Sequence, residues 1–555
     1  MRALLTTEDE WPLRTTALIQ MKVIAALFAL WPSLAAASTP VPTYGTYFGG
    51  TGDTNVGVAV AVDPSAGNVI IAGYTTSLTL PGTANAFQPT RATGYPDNKD
   101  VFVAKFDPTG HTLLWATFLG GDDLDEPTAL AVDSAGSIYV VGATRSSTFP
   151  VTPGAYLGSN AAGANGFAAK ISADGHSLLF STYLPGTPNA VAVTGGGAYI
   201  GGSFSPGVVT AGALGFDDAD PGALVGDGVY LLHLNSTGTG LVFGAYLGGG
   251  GFNPGAVTSV ALSPQGDIYV AGFTADSNIP TTANALQAQY SNPGGGVPCC
   301  SNGFIVEVDP TGSQLLYGTY VGPQYYGTAI SCLAVAPDGS LYFSGTTNTT
   351  TQATPGAYLS TPNAPFGGFV AKLTLGRSGL DSFSYIPSDP GSPEELQLPQ
   401  LPVLVTVGNQ PETVYVAFPP DGGDSSSFGV VELGVPTLSL LSSFRSDSVA
   451  LGLSGSALAA PHSLWLVGPY VQPAPESSNG AAALIQLTDV TSSQGSAQCQ
   501  VTGDGTVNAL DVQAIVNEAL GVAPPINDLN QDGVVNVVDV QIVVNAALGL
   551  GCAAM

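Results

Sequence analysis

Ala59-Val-Ala-Val-Asp-Pro-Ser-Ala-Gly-Asn-Val-Ile-Ile-Ala-Gly73 places two short apolar runs on either side of an Asp/Pro/Gly turn. Apolar alternation bounded by such turn residues reads as a β-hairpin. The phrase returns as Ala129-Leu-Ala-Val-Asp-Ser-Ala-Gly-Ser-Ile-Tyr-Val-Val-Gly142 and as Val260-Ala-Leu-Ser-Pro-Gln-Gly-Asp-Ile-Tyr-Val-Ala-Gly272. A hairpin that repeats along a chain points to a modular sheet architecture.

Two more phrases travel with it. One reads Phe102-Val-Ala-Lys-Phe-Asp-Pro-Thr-Gly110, then Phe167-Ala-Ala-Lys-Ile-Ser-Ala-Asp-Gly175, then Phe304-Ile-Val-Glu-Val-Asp-Pro-Thr-Gly312. The other reads Tyr44-Gly-Thr-Tyr-Phe-Gly-Gly50, Trp115-Ala-Thr-Phe-Leu-Gly-Gly121, Phe180-Ser-Thr-Tyr-Leu-Pro-Gly186, Phe243-Gly-Ala-Tyr-Leu-Gly-Gly249, Tyr317-Gly-Thr-Tyr-Val-Gly322 and Phe383-Ser-Tyr-Ile386, with a worn copy at Leu441-Ser-Ser-Phe444. Each unit thus supplies four strands, which is one propeller blade. Inner hairpins start near Gly57, Ala129, Ala190, Val257, Ala329, Leu401 and Val449. No outer strand follows Ala481-Ala-Ala-Leu-Ile-Gln-Leu487, and no blade precedes Tyr44–Gly50. The expected fold is mainly β: a seven-bladed propeller over residues 38–490, closed by the strand 44–50. Closure of this kind removes the open sheet edges that invite aggregation. Over about 40–390 these phrases resemble the bacterial β-propeller repeats called SBBP, a resemblance that implies fold and not activity.

The C-terminal residues carry a different pattern, twice. Asp528-Leu-Asn530-Gln-Asp532-Gly533-Val-Val-Asn536-Val-Val-Asp539 puts oxygen side chains at loop positions 1, 3, 5, 9 and 12, with Gly at position 6 and the Val534 carbonyl at position 7. That is the spacing of an EF-hand-type calcium loop. The earlier copy keeps Asp504, Asn508 and Asp511, but has Gln500 at position 1 and Thr502 at position 3. Each loop runs into a short helix, 511–520 and 539–548, followed by Gly521 and Gly549. Val512, Ile515, Val516, Ala519 and Leu520 form one apolar stripe, and Val540, Val543, Val544, Ala547 and Leu548 its twin. The stripes are expected to form mainly the module's own core.

Over 499–552 this duplicated loop–helix resembles a dockerin, the small all-α calcium-binding plug that docks into cohesin modules. The resemblance implies calcium at Asp528, Asn530, Asp532, Val534, Asn536 and Asp539, and in the first loop at Asp504, Asn508 and Asp511. It implies a cohesin-like partner, with Ala509, Leu510, Val537 and Val538 at the loop positions that help choose it. Those four are apolar, where many dockerins carry small polar residues. Cys499 and Cys552 bracket the module, so a disulfide clasp between its ends is expected. Cys299-Cys300 are either a vicinal disulfide or two thiols, and Cys332 reads as a buried small hydrophobe.

Composition bounds the partners. Lys plus Arg number 11 against 40 Asp plus Glu, a net charge of −29. Such a surface repels phosphate backbones, which excludes nucleic acid as an expected partner. Charged residues are only 9%, and mean hydropathy is +0.29, which argues for a folded chain despite 73 Gly and 42 Pro. Met21-Lys22, the apolar run to Leu34 and Ala35-Ala36-Ala37 read as a signal peptide over 21–37. Residues 1–20 hold Glu8, Asp9 and Glu10, which suit no n-region, so translation is expected to start at Met21. No membrane span is expected after cleavage, and the chain is expected to be secreted or at the cell surface. Residues 491–498 are the expected linker.

Chemistry is sparse in the propeller. Asp63, Asp107, Asp133 and Asp309 fall in turns, where Asp caps its own backbone. The acidic runs Asp122, Asp123, Asp125, Glu126 and Asp217, Asp218, Asp220 either hold calcium, act as an acid/base pair, or are solvated loop charge, the last being the expected reading. Aromatics in the long loops after each second strand (Phe87, Tyr95, Phe149, Tyr156, Tyr290, Tyr358, Phe366, Tyr470) either meet a sugar or peptide ligand or plug gaps between blades. No catalytic residue is assigned. The expected function is a secreted, non-catalytic binding or scaffold protein for a carbohydrate, cell-surface or protein ligand. The alternatives are a carbohydrate-active propeller enzyme, hydrolase or lyase, and a structural envelope protein.

Overall fold

The computed structural model describes residues 39–50, 54–92, 98–160, 165–203, 209–215, 228–248, 255–291, 301–322, 327–347, 353–362, 367–375, 379–386, 404–407, 413–418, 428–446, 455–460, 463–469, 482–490, 501 and 509–519, with single positions 522, 524, 526, 527, 534, 535, 540 and 543. Two compact units emerge, Pro40–Asp489 and the remainder. The first is built of seven four-stranded antiparallel sheets. Its first blade runs Asn55–Val62, Val69–Thr75, Asp100–Phe106, Leu113–Leu119, and its second Asp125–Val132, Ile138–Thr144, Gly166–Ile171, Leu178–Leu184. Inner strands of the next four blades are Thr187–Thr194, Ala256–Leu262, Thr328–Val335 and Leu404–Val407. The seventh sheet is ordered Thr39–Phe48, Ala482–Val490, Ser463–Pro469, Gly455–Ala460. Each inner strand packs on the next, and the last packs on the first, so the ring closes as the orphan phrase at Tyr44 requires.

Cores lie between blades. Ile70, Val103 and Trp115 of the first blade pack with Val140, Phe149 and Phe167 of the second. Each such seam buries the side chains that period-two alternation turns away from water. Tyr44 helps seal the closing seam: its hydroxyl donates to the Gly110 carbonyl at 2.8 Å, and its ring meets Trp465 edge-on at 6.3 Å.

The glycine that ends the hairpin phrase has a steric reason. The inner strand bulges near its start, between Gly57 and Ala59, Pro127 and Ala129, and Val257 and Ser259. The bulge pushes a carbonyl over the second strand. A Cβ on Gly73, Gly142 or Gly272 would stand 2.0, 2.1 or 1.9 Å from the oxygen of Val56, Glu126 or Ala256. In the sixth blade, where the described pairing begins with Leu404 and Ala417, Phe418 stands where the others have glycine.

The long loops account for the stretched repeat. After the second strand of each of the first five blades, the loop folds back along the free edge of that blade's outer strand. Ala116 N–H donates to Gly82 O at 3.1 Å and Phe118 N–H to Gln88 O at 3.1 Å. Tyr183 N–H donates to Leu157 O, Tyr246 to Leu214, Tyr320 to Gln287 and Tyr385 to Leu359 in the next four blades. The Thr of the Thr-Tyr phrase anchors the loop from the side: Leu157 N–H donates to Thr182 Oγ1 at 2.8 Å and Gln287 N–H to Thr319 Oγ1 at 2.9 Å.

In the second unit, one helix is described as an element, α1 (Ala509–Ala519), and Val540 and Val543 are also helical. The described residues therefore do not show the expected separate all-α domain. Ile515, Val535 and Val543 are buried together, with Val501, Val512, Ala519 and Val540 against them. Val512, Ile515 and Ala519 of one predicted stripe thus meet Val540 and Val543 of the other in one small core, while Leu520, Val544, Ala547 and Leu548 lie outside the described residues. Glu518 closes the segment after α1, accepting the Ile526 and Asn527 backbone N–H groups at 2.9 Å each. The expected signal peptide 21–37, the expected linker 491–498, Cys299, Cys300, Cys499 and Cys552 lie outside the described residues.

Candidate functional site

Two places carry the chemistry that the sequence singles out. The first is the connection between blades one and two, where the acidic run Asp122–Glu126 sits. It separates into distinct roles. Asp122 is a turn cap: its Oδ1 accepts the Ser147 and Thr148 N–H groups at 2.7 and 3.1 Å, and Ser147 Oγ donates to Oδ2 at 2.8 Å. Those bonds, Ser147's first, hold its carboxyl down at about 2. Glu126 pairs with Lys99 at 2.6 Å, and the Lys99 ammonium lies 4.3 Å from the Tyr74 ring centroid. Asp125 is not solvated loop charge. It opens the inner strand of blade two, points into the seam, and is 0% exposed. Burial pushes its pKa up to about 7, against the lowering by Thr144, Gly121 N–H and Ser146, with the charge of Asp100 adding to the rise. Asp100, also buried, is pushed up to about 6 by desolvation, which Arg91 and the Ala92 N–H partly offset. Run-length reading could not single out Asp125, because only strand register decides which acid of four turns inward. The second acidic run, Asp217, Asp218 and Asp220, lies outside the described residues.

On the opposite ends of the strands, the turn aspartates do more than cap. Asp63 accepts Ser65 N–H and Oγ at 3.0 and 2.7 Å, as expected, but its other oxygen meets Lys105 Nζ at 3.1 Å. Lys170 meets Asp133 at 2.9 Å in the second blade. The lysine belongs to the third strand and reaches past the second, which in blade two contributes Tyr139 at 4.7 Å from the ammonium. Blades three and four replace the lysine: His233 stacks on Tyr199 at 4.1 Å, and Tyr269 donates to Glu307 at 2.7 Å, whereas blade five keeps it as Lys372, 5.2 Å from the Tyr342 ring centroid. Among the described residues no group of three or more His, Cys, Asp or Glu has metal-site geometry.

The loop aromatics are structural where described. Phe149 is buried against Phe167 at 4.6 Å, Tyr290 meets Tyr320 at 5.9 Å, and the Phe87 and Tyr156 N–H groups donate to Gly175 O and Gly238 O of the next blade. Tyr95, Phe366 and Tyr470 lie outside the described residues. A depression of about 480 Å³ beside the fifth blade is lined by Ala353, Thr354, Pro355, Gly356, Ala357 and Ser360, none titratable.

The second place is the duplicated loop expected to hold calcium. Asp511, the last position of the first loop, is fully buried at the start of α1, where a carboxylate also meets the positive end of the helix dipole. Ala509 and Leu510 open that helix. In the second loop Val534 is exposed and Val535 is buried. Asp504, Asn508, Asp528, Asn530, Asp532, Asn536, Val537, Val538 and Asp539 lie outside the described residues.

No protein-family model matches the chain, and no curated protein matches it. Solved structures with a similar fold include hydrazine synthase of Kuenenia stuttgartiensis (11% identity, 74% of this chain and 92% of that one, TM-score 0.40). They also include a protein of unknown function from Dyadobacter fermentans (10% identity, 81% and 99%, TM-score 0.39). A third is BamB from Moraxella catarrhalis (11% identity, 80% and 100%, TM-score 0.37).

Proposed function

We propose that this chain is a secreted or cell-surface, non-catalytic binding and scaffold protein. Its propeller recognises a carbohydrate or protein ligand, and its C-terminal loop–helix pair, loaded with calcium, attaches it to a cohesin-like partner. The observation that carries the attachment reading is the shared core of Ile515, Val535 and Val543. A duplicated loop–helix whose halves bury their stripes on each other is a self-contained plug, and calcium at Asp528, Asp532 and Asp539 would fix the second loop beside that core. Within the propeller, Asp122 is committed to the Ser147 turn, Asp63 to Lys105 and Glu126 to Lys99, while Asp100 and Asp125, whose pKa values are raised, are buried away from solvent. That favours recognition over hydrolysis.

The test is capture from culture supernatant by the full chain, in calcium and in chelator. A partner retained in calcium, released by chelator and lost with Asp528→Ala plus Asp532→Ala is expected. Absence of calcium uptake in calorimetry sinks the attachment reading. Sugar release from polysaccharide by the purified chain sinks the non-catalytic one.

A further inference from the structure

Equivalent junctions in the ring differ in one chemical respect. Between blades four and five, Gly322 is flanked by neutral side chains: a Cβ there would stand 3.2 Å from Thr328 Cβ and 3.7 Å from Asn302 Oδ1. On entry to blade one, the first inner-strand side chain is Asn55, whose Oδ1 accepts Gly50 N–H at 3.4 Å and Thr75 Oγ1 at 2.6 Å. Between blades one and two, the same two positions are both acids. Gly121 N–H donates to Asp125 Oδ2 at 2.8 Å, and a Cβ on Gly120 would stand 2.6 Å from Asp100 Cγ. Two carboxyl groups, 0% and 1% exposed, therefore flank one Gly-Gly turn.

Among the described residues, one cation serves the pair. Arg91 Nε lies 3.4 Å from Asp100 Oδ1, and Ala92 N–H donates to Asp100 Oδ2 at 3.3 Å. Asp125 Oδ2 also accepts Ser146 Oγ at 2.8 Å, while Oδ1 has no hydrogen-bond partner among the described residues, although the Thr144 side chain also favours the ionised form. The other charged groups nearby do not compensate it. Lys99 is paired with Glu126, Asp122 and Asp123 are acids of the junction itself, and Arg145 is exposed to solvent. The Tyr183 hydroxyl is occupied with Ser146 O and Phe149 N–H. An ionised Asp125 would thus be a buried charge with one oxygen unpaired, which costs more than the neutral, protonated form.

We propose that this junction is a proton-operated latch: a proton on Asp125 keeps the first two blades closed at the Gly120-Gly121 turn, and its loss as pH rises loosens that seam. The sign follows from the carboxyl's raised pKa in the folded seam. The closed state binds the proton more tightly than the open one, so closure is fully favoured below the ordinary carboxylate range. It weakens as pH climbs to about 7. Asp125→Asn should fold, since Asn55 already fills this position in blade one, and should stay latched at every pH.

Hydrogen exchange on the intact chain tests it, read as protection of peptides spanning 117–126 after correction for intrinsic exchange. Between pH 5 and pH 8 the natural chain should lose about tenfold or more in protection there, while Asp125→Asn should lose none. Asp100→Asn, which removes the neighbouring like charge, should move the midpoint to lower pH. The latch is overturned if the natural chain shows flat protection across that range, or if Asp125→Asn retains the same pH dependence. If the variant does not fold, carboxyl carbon-13 titration of Asp125 in the natural chain decides: a midpoint near 4 overturns the proposal, and one near 7 together with the loss of protection supports it.

Discussion

Lys105 Nζ lies 3.1 Å from Asp63 Oδ2 across an intervening strand, with both side chains under a tenth exposed. Burial alone would raise the Asp63 pKa, but hydrogen bonds from Ser65 and the Lys105 ammonium bring it down to about 2. A carboxyl with a depressed folded pKa adds stability above the ordinary carboxylate range and loses it as pH falls toward 2. Lys105→Met should cost about 3 kcal/mol in denaturant unfolding at pH 7, because it strands a buried carboxylate. The loss should shrink in Lys105→Met with Asp63→Ser, which keeps a turn-capping oxygen. Additive losses in that double variant would count against coupling.

Gly142→Ala should destabilise the protein by about 2 kcal/mol or more, since the new methyl would collide with the bulge carbonyl of Glu126. Gly158 has nothing within 4 Å of an added Cβ, so Gly158→Ala is the control and should be near neutral. Equal melting temperatures for the two variants would contradict the steric account.

Removal of residues 38–50 takes away the outer strand of the seventh sheet. The truncated chain should melt well below the full chain, and Trp465 fluorescence should shift to the red as Tyr44 leaves its edge. The milder Tyr44→Ala should cost about 2 kcal/mol for a half-buried aromatic. An unchanged melt after truncation would mean the ring does not depend on this strand.

The two calcium loops should differ in affinity. The second offers three Asp and two Asn, the first two Asp, one Asn, one Gln and one Thr. Fewer carboxylates give weaker binding to a hard cation, by about tenfold here. Calorimetry with Asp528→Ala plus Asp532→Ala should leave only the weaker event. Two equal sites would reverse the ranking.

Much of the propeller could be read from the sequence because its signals are local. Ala59–Gly73 alternates across a turn, and the unpaired phrase at Tyr44 could only be the missing outer strand of the last blade. What escaped reading depends on contacts between strands that are not neighbours in sequence. Lys105 meets Asp63 past a strand lying between them, so neither phrase alone announces the pair. Asp125 and Asp122 look alike in a run of acids, yet one opens a strand facing a seam and the other caps an exposed turn. The loop aromatics were ambiguous for the same reason: Phe149 becomes a core residue only because its loop returns over the outer strand of its own blade.

That return has a consequence for recognition. A free outer strand would offer its row of amide groups to any extended peptide seeking to add itself as one more strand. In the first five blades that row is already engaged by the protein's own chain at Gly82 and Gln88, Leu157, Leu214, Gln287 and Leu359. Partners of those blades must therefore be read by side chains, which makes selectivity there a matter of surface chemistry and not of borrowed backbone pairing.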